Sequence, residues 1–74
     1  MSDVIEGKML TVNGVSEPLD APTVAALLAA RDIAPDGRGV AVALNGELVR
    51  RADWATTALN PGDAVEIVRA MQGG

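Results

Sequence analysis

Apolar and polar residues alternate in short bursts along this chain, and turn residues rather than long polar linkers separate the bursts. Met9-Leu10-Thr11-Val12 has a period of two, which predicts a half-buried strand with Leu10 and Val12 facing inward. Asn13-Gly14 follows, a strong hairpin signal, because a type I′ turn needs positive φ at both central residues. The return strand runs from Val15 to Leu19, and Glu17 and Pro18 weaken it and place it at a sheet edge. Asp20-Ala21-Pro22-Thr23 then turns the chain into a helix, with the Thr23 hydroxyl as N-cap. Val24, Leu27, Leu28 and the stem of Arg31 fall at i, i+3, i+4 and i+7 and form one apolar stripe. The intervening alanines favour helix and take up little room, so this helix can lie close on a sheet. Ile33 is expected to pack back after the helix ends, and Asp36-Gly37-Arg38-Gly39 to form a loop.

Val40-Ala41-Val42-Ala43-Leu44 is apolar throughout, which predicts a strand buried on both sides or central in its sheet. Asn45-Gly46 repeats the hairpin signal and leads into Leu48 and Val49. Ala52-Asp53-Trp54 is too short and polar for a strand and reads as a helical turn, with Trp54 closing one end of the core. Asn60-Pro61-Gly62-Asp63 has proline and glycine where a type II turn wants them. Ala64 to Val68 forms the last strand, with Val65 and Ile67 inward. Two hairpins therefore flank one helix, and the last strand must pair with something already laid down. Parallel pairing with the first strand, in the middle of a sheet packed on the helix, gives an α+β fold, a ubiquitin-like β-grasp. Its mixed sheet would have about four to five strands. The expected division is a leader over 1–8, the β-grasp domain over 9–68 and a C-terminal tail over 69–74.

Composition narrows the chemistry. With 74 residues the chain is one domain near the lower size limit for folding without a staple. It has no cysteine and no histidine, which removes disulfides, thiol nucleophiles, the usual general base and the commonest metal ligands. No metal site and no bound cofactor are expected. Ten acidic against six basic residues give a net charge of −4, and the basic residues are scattered. Nucleic acid is therefore not an expected partner, since backbone binding needs a basic patch. A single tryptophan, with no other aromatic, leaves no platform for stacking bases. No apolar run approaches a membrane span, so no membrane partner is expected and a cytoplasmic location is.

The candidate chemistry sits at the end of the chain, Val68-Arg69-Ala70-Met71-Gln72-Gly73-Gly74. Two glycines, separated from the last strand by the four residues Arg69 to Gln72, admit two readings. A frayed terminus is one, because disorder collects at chain ends. The other is a tail narrow enough to thread a channel that would reject a side chain. At 3.3–3.6 Å per extended residue, Arg69 to Gly74 could carry the terminal carboxylate about 20 Å from the sheet. Gly74 would hold the reacting carbon, and Gly73, Gln72 and Met71 would thread behind it. Arg69 and Val68 are candidate partner contacts at the tail's base. Arg50-Arg51 reads either as a docking point for an acidic partner or as a solvated hairpin exit. Asp63 and Glu66 read as a turn-capping aspartate and a solvated strand glutamate rather than a catalytic pair.

The ordered set of motifs resembles the thiamine-biosynthesis sulfur carrier family. It comprises the strand into Asn13-Gly14, Thr23-Val24 with Leu27-Leu28, and Val42-Ala43-Leu44-Asn45-Gly46-Glu47-Leu48-Val49. Arg51 with Trp54, Leu59, Gly62-Asp63, Val65-Glu66-Ile67-Val68 and Gly73-Gly74 complete it. Each piece alone is weak; the set at these spacings, over most of Met9 to Gly74, is specific. The family often has proline where this chain has Arg50, and usually lacks anything like residues 1–8. The resemblance implies a carrier and co-substrate rather than an enzyme. A ubiquitin-activating-like adenylating enzyme would consume ATP to activate the Gly74 carboxylate, and a sulfur donor protein would convert it to a thiocarboxylate. Thiazole synthase would then receive the sulfur. The small subunit of molybdopterin synthase is an alternative, although its tendency to an aromatic-rich start and a larger helical insert fits poorly. A ubiquitin-like protein modifier and an interaction module with incidental glycines are the others.

Overall fold

The structure is a computed structural model that describes residues 8–33 and 38–69. Five strands form one mixed sheet: β1 (Met9–Val12), β2 (Val15–Pro18), β3 (Val40–Leu44), β4 (Glu47–Val49) and β5 (Ala64–Arg69). A single α-helix, α1 (Val24–Ala30), and a 3₁₀ helix, η1 (Arg51–Thr56), complete the described elements. The sheet order is β2-β1-β5-β3-β4. β5 thus lies in the middle, parallel to β1 and antiparallel to β3. This is the expected β-grasp arrangement, with β2 at an edge as Glu17 and Pro18 implied.

Local chemistry sets the turns. Asn13 and Gly14 have φ of 53° and 83°, and Asn45 and Gly46 have 52° and 86°, so both hairpins use the left-handed pairs a type I′ turn requires. Gly62 has φ of 88°, and the Asp63 N–H donates to the Asn60 carbonyl at 3.1 Å, closing the turn in which Pro61 presets the first bend. Thr23 caps α1: its Oγ1 accepts from the Ala26 N–H at 3.2 Å.

The helix stops in a way the apolar stripe did not predict. Arg31 is the C-cap, and Asp32 takes a left-handed φ of 62°. The Asp32 N–H donates to the Ala29 carbonyl and the Ile33 N–H to the Leu28 carbonyl, a Schellman closure that turns Ile33 back onto Leu28. Arg31 therefore lies just past the helix, where its Nη2 donates to both carboxylate oxygens of Glu17 on the edge strand. Each side chain is about a third exposed, so this ion pair adds little stability.

The core is the layer between α1 and the inner face of the sheet. Leu10 and Val12 of β1, Val42 of β3 and Val65 of β5 meet Val24, Leu27 and Leu28 of the helix, all nearly excluded from solvent. Trp54 closes one end as expected, with its indole N–H donating to the Val49 carbonyl at 2.9 Å, so burial leaves no orphaned donor. Ile33 and Leu59 join this cluster. β3 is central, as one of its two expectations held, but it is not buried on both sides. Its valines and leucine face the helix, while Ala41 is exposed on the outer face. The alternation of large and small residues, rather than the continuous apolar run, decided the outcome.

Candidate functional site

The sheet centres on the strand that leads to the tail. β5 is hydrogen-bonded on both flanks, to β1 and to β3, and its register with β3 runs from Leu44↔Val65 to Val40↔Arg69. Arg69 is thus the last residue of the strand. Gly74, Gly73, Gln72 and Met71, the residues expected to thread and react, lie outside the described residues. Strand β5 is the base from which they follow in sequence.

That base has two faces. Val65 and Ile67 point toward the core, whereas Glu66 and Val68 point away from it. Across the outer face, Glu66 pairs with Ala43, Ala43 with Leu48, and Val68 with Ala41. Leu48 is 71% exposed and Val68 61%, and only alanines lie beside them on β3. The face presents two large apolar side chains with alanines between them. Extending the β3–β4 register by one residue brings Arg50 opposite Ala41, so Arg50 borders this face. Val68 and Arg50, read separately from sequence, converge here.

Arg69 and Arg51 go elsewhere. Arg69 lines an open cleft of about 430 Å³ with Asn13, Arg31, Ile33 and Ile67. Arg51 begins η1 and borders an apolar groove of about 360 Å³ between α1 and η1, with Ala25, Leu28, Ile33 and Trp54. The two adjacent arginines of the hairpin exit thus border different parts of the surface. Asp63 ties its own turn, with Oδ2 accepting from the Asn60 N–H at 2.8 Å and Oδ1 from Asn45 Nδ2 at 3.0 Å. Glu66 is exposed on the outer face, so the two carboxylates have the separate structural roles expected of them. Among the described residues, no group of three or more acidic side chains is placed to hold a metal ion. No described helix is long and apolar enough to cross a membrane.

The sequence reading missed a second use of the two asparagines. Asn13 Oδ1 accepts from the Ile67 N–H at 2.8 Å, and Asn13 Nδ2 donates to the Ile67 carbonyl at 3.2 Å. Asn45 Oδ1 accepts from the Ala64 N–H at 2.9 Å. Both turn residues grip β5. A need for positive φ already accounts for asparagine at each position, and that hid the contact.

A five-stranded mixed sheet with β5 in the middle, packed on one helix, is the ubiquitin-like β-grasp fold. The chain belongs to the ThiS family, whose model matches residues 6–74. It is 36% identical over 66 residues to the sulfur carrier protein ThiS of Thermus thermophilus, covering 89% of this chain and all of that protein. It is also similar to the crystal structure of the thiamine biosynthesis protein ThiS from Geobacter metallireducens. There the TM-score is 0.73 at 39% identity, over 89% of this chain and 99% of that one. The solution structure from the same organism gives 0.72, again at 39% identity, over 89% and 87%. The chain is a sulfur carrier protein of thiamine biosynthesis, acted upon rather than catalytic. The molybdopterin-synthase alternative yields to this family.

Proposed function

We infer that the chain carries sulfur on its C-terminal glycine and presents that glycine by docking the outer face of its sheet on a ubiquitin-activating-like adenylating enzyme. A terminal carboxylate has an ordinary pKa of about 3.3–3.7, so at neutral pH it is an anion and a poor electrophile. Adenylation makes it reactive. A Gly74 carboxylate oxygen attacks the α-phosphorus of ATP, and pyrophosphate leaves. Hydrosulfide, supplied by a sulfur donor protein, then attacks the acyl carbon; the new C–S bond forms as the C–O bond to AMP breaks, AMP and a proton leave, and the thiocarboxylate remains. Thiazole synthase is the acceptor that this product serves. ATP belongs to the partner; the carrier supplies the acyl group, and Gly73 keeps the approach narrow, with Gln72 and Met71 behind it.

The observation that carries this reading is the outer face. Leu48 and Val68 are large, apolar and solvent-exposed on the strand leading to the glycines and on its neighbour's hairpin partner. The core does not need them, and with Ala41 and Ala43 between them they leave apolar side chains on one face that a partner could cover. Arg50 at the border adds a charge that an acidic rim on the partner would complement. The test is ATP–pyrophosphate exchange by the adenylating enzyme with the full chain and with Gly73-Gly74 deleted. Exchange with the full chain and none with the deletion is expected; equal exchange would overturn the reading. Incubation with lysate and ATP should give no ladder of conjugates, and a ladder would mark a protein modifier instead.

A further inference from the structure

The β1–β5 ladder advances two residues at a time. The Thr11 N–H donates to the Asp63 carbonyl at 3.0 Å and the Asn13 N–H to the Val65 carbonyl at 2.9 Å. One step further, the Val15 N–H would donate to the Ile67 carbonyl. The hairpin prevents this, because at Asn13 the backbone turns into the left-handed region and Val15 leaves on β2. Asn13's own side chain takes over. Its Nδ2 donates to the Ile67 carbonyl and its Oδ1 accepts from the Ile67 N–H, so the carboxamide stands in for the missing peptide group. Past this point β5 has β3 on one flank only, through Ala41↔Val68 and Val40↔Arg69. Among the described residues, Asn13 is the last hydrogen-bonding partner of β5 on its β1 flank.

We propose that Asn13 is a positioning residue for adenylation: its carboxamide clamp on Ile67 fixes the direction in which β5 launches the tail toward the partner's active site. The proposal rests on the reading of Gly74 as the adenylated residue. Asn45 provides the internal control. It also sits at the first position of a type I′ turn and also bonds β5, but at Ala64, the end remote from the tail. Glycine at either position keeps the positive φ and removes only the carboxamide.

The experiment compares N13G and N45G with the unmodified chain in ATP–pyrophosphate exchange, at a temperature well below unfolding of each. Misaiming a reactive end without weakening docking lowers kcat and spares KM, and a displacement of about 1 Å is enough to cost tenfold or more. For N13G a roughly tenfold lower kcat is expected with KM within about twofold, while N45G stays within about twofold in both. The Ile67 amide proton should exchange faster with solvent in N13G and not in N45G. Equal kinetics for the two variants, a loss confined to KM, or an Ile67 amide as protected as before would each overturn the proposal. N13D tolerates the same φ and keeps the acceptor for the Ile67 N–H, so it covers the case in which N13G does not fold. Its kcat should fall below that of the unmodified chain at unchanged KM, and an unchanged kcat would contradict the clamp. If the unmodified chain supports no exchange at all, the Gly74 reading fails and takes the proposal with it; exchange by the unmodified chain with no loss in N13G or N13D defeats the proposal alone.

Discussion

The two faces of the sheet are built from the same strands and have opposite surfaces. On the inner face, Leu10, Val12, Val42 and Val65 are at most 3% exposed, whereas on the outer face Leu48 and Val68 are more than half exposed. Strand geometry sets which side chains share a face, since successive side chains point to opposite sides, although Val15, opposite Val12 at the sheet edge, is 60% exposed. What it does not require is that the outer residues be apolar. In a domain this small, with one α-helix to cover one face, outer positions would ordinarily be polar. The difference separates folding from the proposed docking: the inner face holds β5 in place, and the outer face is the one left open for the proposed partner.

Breaking the inner face should have the largest effect. Leu10→Ala removes a side chain that is 2% exposed, at the strand that pairs with β5. It should cost about 2–5 kcal/mol of stability, read by urea or thermal unfolding. For a domain near the lower size limit that is a large share of the total, so weakened exchange activity should follow the unfolded fraction. A change under about 1 kcal/mol would mean that the inner face is not the main source of stability.

The outer face should respond in the opposite way. Leu48→Glu places a charge on a residue that is already 71% exposed, so its effect on stability should stay within about 0.5 kcal/mol. Affinity for the adenylating enzyme, measured by calorimetry or as KM in the exchange assay, should fall roughly tenfold or more, corresponding to at least about 1.4 kcal/mol. Unaltered affinity would move the docking surface elsewhere, for example to the apolar groove that Arg51 borders. Loss of a clamp on β5, as in N13G, belongs between these extremes. One or two exposed hydrogen bonds are worth about 0.5–1.5 kcal/mol each in stability, and the kinetic effect should exceed what that loss explains.

Much of this division was legible in the sequence. The Leu10/Val12 and Val65/Ile67 alternations, the two Asn-Gly turns, the Thr23 cap and the Pro61-Gly62 turn are local patterns with local physical causes, and each appears where it was expected. The parallel β1–β5 pairing followed from what remained to be paired. Long-range contacts were harder to see. Arg31 fitted a helical stripe by spacing, yet Asp32 ends the helix one residue later in a left-handed conformation, and the guanidinium turns to Glu17. The carboxamides of Asn13 and Asn45 reach residues 54 and 19 positions away, and nothing in the spacing of the chain marks such a contact. The exposure of Leu48 was hidden because a strand's period shows which residues share a face, and only the packed fold shows which face the helix covers.

The most direct measurement is the mass of the C-terminal peptide after incubation with ATP, the adenylating enzyme and a sulfide source. Exchange of one oxygen for sulfur alters mass almost as much as oxidation of one methionine, and Met71 lies in the same peptide, so the product is trapped with a thiol alkylator. An alkylated increment localised to Gly74 is the predicted result. No increment, under conditions in which the same enzyme thiolates another carrier, would contradict the account.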